Sequence, residues 1–341
     1  MSLTTKESKI LYSIRIGSEN DPFKPEFPPD NPKFPATPAY PIKVPGFSSV
    51  LLKDESVNLT GTHKDRMAWE TVVTYRDFLL AKQRGQIKKS LPQMSIISSG
   101  SAAIAIQTQL KKYNLPALKV LANKTVNEKI VRAMKQLGCE IYQTNLSKKP
   151  LQWREILKLT NNRDGFEITS SEALDPTTRF YDWLSYEILN INPDYCFIPF
   201  GTGNLYENIL NLNKREISTK QHDPRFKGDI DVLERFHFIG ATTNNKRSKA
   251  EKLYSPHLPF VHYDEQWIRL YRYAGFCGEL SNVHVLKERF VDKALDIAKS
   301  QNISCEPSGI AGLGMLLQMA EKIPKNKKIL IVNTGKTKYP N

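Results

Sequence analysis

Lys64 stands where a lysine is unexpected. The stretch Lys53-Asp54-Glu55-Ser56-Val57-Asn58-Leu59-Thr60-Gly61-Thr62-His63-Lys64-Asp65-Arg66 carries turn chemistry over 58–61, and Thr62 then reads as the N-cap of a long helix. Lys64 falls in the first turn of that helix, where the positive end of the helix dipole disfavours a second positive charge. A neutral amine is what attack on a carbonyl requires, so this placement suits imine chemistry. On position alone, an exposed lysine at a helix start is the commoner outcome.

Further segments place small residues directly after apolar runs. Ser98-Ser99-Gly100-Ser101-Ala102-Ala103 follows the run at 94–98 and opens a helical pattern, so its backbone N–H groups would face an anion. In Pro199-Phe200-Gly201-Thr202-Gly203-Asn204-Leu205, two glycines one residue apart allow close backbone approach, and Asn204 tolerates the left-handed region. The ensuing helix would aim its amides at a phosphate. Cys305-Glu306-Pro307-Ser308-Gly309-Ile310-Ala311-Gly312 and the final run Val332-Asn333-Thr334-Gly335-Lys336 complete the set. Taken singly, each is equally satisfied by an ordinary turn or by close packing.

Such segments need a scaffold that gathers strand ends and helix starts. Short β-rich runs fall at 50–53, 94–98, 118–122, 140–143, 195–200, 236–240 and 328–333. Amphipathic stretches intervene at 62–84, 102–112, 126–137, 181–189, 285–299 and 309–322. Strands alternating with helices predict parallel sheets covered by helices. The runs group on either side of 161–176, which predicts two α/β domains. The first, 49–175, holds Lys64 and the 98–103 loop; the second, 176–341, holds the turn at 201–203. Ahead of them residues 1–48 read as an arm, with nine prolines between Pro22 and Pro45. Proline fixes φ and lacks an N–H, which excludes this stretch from helices and interior strands. Its phenylalanines and Tyr40 predict docking in an extended form.

Composition narrows the function classes. Lys and Arg exceed Asp and Glu by 49 − 35 = +14, yet the charge is dispersed from Lys6 to Lys338 in runs no longer than pairs such as Lys88-Lys89. No aromatic-plus-basic module accompanies it, so nucleic acid is not an expected partner; a cationic enzyme handling an anionic cofactor and substrate is. The four cysteines, Cys139, Cys196, Cys277 and Cys305, form no CxxC pair, and His222, His237, His257, His262 and His284 show no ligand spacing, so no metal is expected. The absence of a secretory pattern and of any run of ~18–20 apolar residues predicts a reduced, cytoplasmic protein without a membrane partner.

In order and content the five segments resemble the fold-type II pyridoxal-phosphate enzymes. This tryptophan synthase β-like superfamily includes threonine synthase, cysteine synthase and the serine/threonine dehydratases. The resemblance spans about residues 50–335. Residues 53–66 are similar to the family's KDE…NPTGSFKDR segment, whose lysine forms the Schiff base; here that residue is Lys64. Ser98, Ser99, Gly100, Ser101 and Ala102 resemble the SSGNAA loop that receives the substrate carboxylate. Gly201, Thr202, Gly203, Asn204 and Leu205 resemble the GTGGN phosphate cradle. Glu306 to Gly312 resembles EPSGAAG, and Thr334 sits where the family places a Ser or Thr against the pyridine nitrogen. There are three departures: His63 replaces the usual phenylalanine, as in tryptophan synthase β chains; Ser101 replaces an asparagine that contacts the cofactor's phenolic oxygen; Asn204 replaces the second glycine of the cradle.

The resemblance implies two three-layer α/β domains with mostly parallel sheets and pyridoxal 5′-phosphate in the cleft between them. Lys64, His63, Ser101, the turn 201–205, Glu306 and Thr334 are the implied cofactor contacts, with Lys64 catalytic. It further implies an amino-acid substrate and a homodimer. A hydroxyl at 334, unlike a carboxylate, does not favour a protonated ring, so elimination or replacement at Cβ or Cγ is expected over transamination. The pair HKDR and EPSG fits the threonine synthase and dehydratase branches, hence a lyase. A cysteine-synthase-like β-replacement enzyme and a non-catalytic cofactor-binding sensor are the alternatives.

Overall fold

A computed structural model describes residues 5–17, 33–146, 151–169, 180–254 and 265–339. Of the proline arm, Pro22, Pro25, Pro28, Pro29 and Pro32 lie outside the described residues. The chain runs through α1 (Thr5–Gly17), β1 (Ala39–Pro41), β2 (Ser49–Asp54), α2 (Lys64–Gln83), β3 (Met94–Ile97) and α3 (Ser101–Lys112). It continues with β4 (Lys119–Asn123), α4 (Glu128–Leu137), β5 (Glu140–Thr144), α5 (Trp153–Leu159), β6 (Phe166–Glu167) and α6 (Asp182–Leu189). There follow β7 (Tyr195–Pro199), α7 (Asn204–Ser218), α8 (Ile230–Leu233), β8 (His237–Thr242), α9 (Glu265–Tyr273) and β9 (Asn282–Val285). The last elements are α10 (Glu288–Ser300), α11 (Ala311–Gln318) and β10 (Lys328–Asn333).

Two compact units result. One comprises Met1–Phe34, Lys64–Phe180 and Lys338–Asn341; the other comprises Pro35–His63 and Tyr181–Thr337. The first unit holds a four-stranded sheet ordered β5-β4-β3-β6, with every pair parallel. In β4 the first four residues are all buried, the burial of a strand covered on both faces. Helix α2 buries residues on every side, including Glu70 and Asp77, so these carboxylates need partners. Arg15 of α1 supplies them, reaching Asp77 at 2.5 Å and also pairing with Glu70. Burial raises the Asp77 carboxyl above its usual range, against the pull of Arg15. The reading of residues 1–48 as arm alone missed α1.

The second unit holds a six-stranded sheet ordered β1-β2-β10-β7-β8-β9, parallel except for β1 against β2. Residues 49–63, read from the sequence as part of the first domain, lie in this unit instead. β2 pairs along its whole length with β10, from Ser49 opposite Lys328 to Asp54 opposite Asn333. Hydrophobic pattern reports that a strand is buried, not which strand it joins. Pro41 ends β1 at the edge of the sheet, where a missing N–H costs no ladder bond. Val285, read as the start of a helix, instead ends β9 opposite Thr242. Helix α10 begins three residues later, at Glu288. Helix α11 rests directly on β7: a Cβ on Gly312 would stand 2.5 Å from the Phe197 carbonyl oxygen.

Candidate active site

Helix α2 starts at Lys64 itself, which is half-buried. The residue directly ahead of the helix is therefore His63, one position past the Thr62 expected there. Thr62 instead forms an isolated bridge with Gly335. In the same unit as Lys64, Ser98, Ser99 and Gly100 turn the chain from β3 into α3. Gly100 precedes the helix at φ 141°, a conformation that side chains rarely adopt. Ser98 Oγ accepts the N–H groups of Gly100 at 3.1 Å and Ala103 at 3.3 Å. Two amides of the segment expected to face an anion are thus used inside the turn, and the Ser98 N–H donates to the Leu121 carbonyl at 3.3 Å, while the Ser98 hydroxyl keeps its own proton to donate.

In the second unit β7 ends at Pro199, and Phe200 makes the last sheet bond, to Ala241, at 2.8 Å. Gly203 then precedes α7 in the left-handed conformation, φ 86°. Having no side chain, it cannot cap the helix. Among the described residues, the backbone N–H groups of Gly201, Thr202, Gly203 and Leu205 have no hydrogen-bond acceptor. They gather at the positive end of a helix of 15 residues, the arrangement that binds anions.

Three of the sequence segments are knitted together in this unit. His63 donates its N–H to the Thr334 carbonyl at 3.1 Å, and Thr334 donates to Gly309 at 3.0 Å. Glu306 donates to Gly335 at 3.3 Å, and Lys336 to Gly61 at 2.8 Å. Gly335 has φ +95°, and a Cβ there would meet the Gly61 carbonyl oxygen at 2.0 Å. The His63 ring lies 3.4 Å through Nδ1 from the same Thr334 carbonyl and stacks on Tyr181 at 5.4 Å.

Residues overlooked in the sequence hold this arrangement. Asn333 Nδ2 donates to Asp54 Oδ1 and to the Ser304 carbonyl, both at 2.9 Å, while Asn333 Oδ1 accepts the Gly335 N–H at 3.1 Å. Asn58 Nδ2 ties Glu55 at 2.8 Å to the Thr62 carbonyl at 3.1 Å. Lys53, 1% exposed, pairs with Glu187 at 2.6 Å and bonds Thr37 of the arm at 2.5 Å. For Lys53 and Asn333 the signal in the sequence was a polar residue closing an apolar strand, and for Asn58 it was turn chemistry. Burial pushes the Cys305 thiol up to about 11, which disfavours its nucleophilic thiolate form. A cavity of about 470 Å³ in the first unit, lined by Lys6, Lys9, Ile10, Ser13, Ile14, Arg84 and Gln86, includes none of the motif residues. Among the described residues no group of His, Cys, Asp or Glu could hold a metal ion, and no helix is long and apolar enough to cross a membrane.

The sequence profile of the pyridoxal-phosphate dependent enzymes matches residues 35–335. The chain belongs to that family. No curated protein sequence matches it. Among solved structures, an O-ureido-L-serine synthase is similar at 17% identity and a TM-score of 0.61, with 88% of this chain and 89% of that chain covered. A threonine deaminase from Solanum lycopersicum (isoform 2, processed form) is similar at 14% identity and a TM-score of 0.58, covering 99% of this chain and 93% of that one. Diaminopropionate ammonia lyase from Escherichia coli is similar at 12% identity and a TM-score of 0.61, covering 96% and 88%. These likenesses share the fold: α/β units with parallel sheets. Pyridoxal phosphate is the family's cofactor, and the residues present suit it. Its phosphate calls for clustered backbone donors, which the turn at Gly201–Gly203 offers. Its aldehyde calls for a primary amine, which Lys64 offers.

Proposed function

We propose that this enzyme is a lyase that eliminates or replaces a group at Cβ or Cγ of an amino acid, in the manner of threonine synthase or a serine/threonine dehydratase. The observation that carries the reading is the main-chain tie between His63 and Thr334, because it couples the residue before the reactive amine to the residue that distinguishes reaction classes. Bound pyridoxal phosphate supplies an aldehyde that condenses with amines and a ring that accepts electrons from Cα. Lys64 would hold the cofactor through its Nζ, and that amine would serve as the base for the Cα proton. The turn of Ser98, Ser99, Gly100, Ser101 and Ala102 binds the substrate carboxylate through backbone N–H groups and a serine hydroxyl. Gly201, Thr202, Gly203, Asn204 and Leu205 bind the phosphate, assisted by His63. Ser101 would hold the ring oxygen with a side chain shorter than the family's asparagine. Glu306 and Thr334 would hold the ring, the Thr334 hydroxyl at its nitrogen without adding charge.

A homodimer in the cytoplasm is part of this proposal; light scattering of the purified protein checks its first half. The chemical half is checked by borohydride reduction of the cofactor-loaded protein followed by peptide mass spectrometry. A cofactor mass on the peptide containing Lys64, and its disappearance in Lys64→Ala, is the expected result. Substrate is then sought with serine, threonine and O-phosphohomoserine, by the shift of the visible absorbance and the mass of the product. Absorbance that shifts with none of them favours the sensor reading over the lyase.

A further inference from the structure

Lys252 lies in the 3-10 turn Glu251–Leu253 that follows β8. Its backbone carbonyl oxygen is 3.3 Å from the point where a Cβ on Gly201 would sit, so this turn packs closely on the glycine turn. Its Nζ reaches Glu306 Oε2 at 2.5 Å, with the side chains 34% and 19% exposed. Glu306 is itself fixed, donating its N–H to Gly335 at 3.3 Å and accepting from Gly309 and Ile310 at 2.9 and 3.1 Å. One lysine thus spans from the turn at Gly201 to Glu306, whose main chain bonds the stretch that carries Thr334 and Gly335.

Cys305 adjoins Glu306 in the chain, and its thiol feels the charges of Asp54 and Lys336 together with that of Glu306. Asp54 is occupied by Asn333, by the Ser56 N–H and by the Tyr40 hydroxyl. Cys305 is held as an uncharged thiol by burial. Asp54 is held by neutral donors, whereas Glu306 has the Lys252 ammonium against it, so the charge of Glu306 is the one that Lys252 governs. A carboxylate near a ring nitrogen draws a proton onto it, and an adjacent ammonium cancels that pull. A protonated ring is the stronger electron sink and prolongs a carbanion at Cα.

We propose that Lys252 is a positioning residue that neutralises Glu306, keeps the ring nitrogen beside Thr334 unprotonated, and thereby biases the enzyme toward elimination. The inference rests on the placement of Thr334 and Glu306 proposed above.

The test uses the cofactor-loaded enzyme and the variants Lys252→Met, Lys252→Arg, Glu306→Gln and Lys252→Met/Glu306→Gln. Two quantities are read: the pH titration of the bound cofactor's visible absorbance without substrate, and the ratio of Cα–H exchange with deuterated water to elimination. Lys252→Met is expected to move the titration midpoint upward and to raise the exchange ratio about tenfold, the equivalent of one unit in protonation equilibrium. The double variant is expected to return both to the wild-type values, and Lys252→Arg to keep them. Identical titrations in Lys252→Met and wild type overturn the proposal, as does a double variant that behaves like Lys252→Met. Should Lys252→Met fail to fold, Glu306→Gln decides: it leaves the Lys252 ammonium uncompensated, so its titration is expected to move downward, and a midpoint equal to or above wild type overturns the neutralisation. A wild-type protein that never acquires the absorbance sinks the proposed function itself, which separates the two failures.

Discussion

His63 and Thr334, 271 positions apart in sequence, are joined by a hydrogen bond from the His63 N–H to the Thr334 carbonyl at 3.1 Å. The bond uses main-chain atoms only, so either side chain can be changed while the tie persists. This separates the chemistry of residue 334 from its architecture.

Thr334→Asp keeps the main-chain bonds and adds a carboxylate. Elimination from serine or threonine is expected to slow about tenfold, some 1.4 kcal/mol of barrier, while Cα–H exchange rises. An unchanged elimination rate would show that the neutral hydroxyl is irrelevant to the reaction class.

Gly335→Ala and Gly100→Ala differ in what they meet. At 335 the new Cβ strikes the Gly61 carbonyl oxygen at 2.0 Å; at 100 it strikes Ile130 Cγ2 at 2.6 Å. Both positions also have positive φ, so each is expected to lose about 1–3 kcal/mol in urea unfolding. Adding Ile130→Ala should recover part of the loss at 100. Since Gly61 contributes backbone, which cannot be trimmed, no partner substitution should rescue 335.

Thr37→Val tests whether the arm is structural. The Thr37 hydroxyl donates to Glu55 Oε1 at 2.5 Å and accepts from the buried Lys53 ammonium at 2.5 Å. Its removal leaves a buried carboxylate short of a donor, at an expected cost of about 1–3 kcal/mol. A melting temperature equal to wild type would mean that Lys53 and Glu55 repair the network without the arm.

His237 gives stability an acid limb. Burial holds its imidazole below the ordinary range, against Glu279 and Asp194 and together with Lys327. Its Nδ1 accepts the Leu280 N–H at 3.1 Å, which a proton there would abolish. The folded state therefore binds this proton less readily than the unfolded chain, and stability falls as pH drops through about 6.5. His237→Phe should retain the stack on Tyr195 while flattening the urea-midpoint slope between about pH 7 and 5. His284 shifts in the same direction, so some slope should remain. A variant with the full wild-type slope would rule out His237 as a source.

Residue types and order alone settled the kind of fold and singled out the segments proposed for the site. Strand-length apolar runs alternating with amphipathic stretches demand parallel sheets under helices, and glycines after strands mark where backbone must come close to a ligand or to another chain segment. Those are local consequences of side-chain size and polarity. Tertiary structure decided the partners. It put β2 beside β10 rather than with β3 and β4, buried Lys53 against Glu187, set Thr62 in a bridge to Gly335, and paired Lys252 with Glu306. Each of these contacts joins residues far apart along the chain, and burial periodicity is the same whichever distant partner supplies it. Charge and hydrogen-bond donors gain their meaning only from that partner, because a lysine in a strand reads as solvent-facing until a carboxylate is placed beside it.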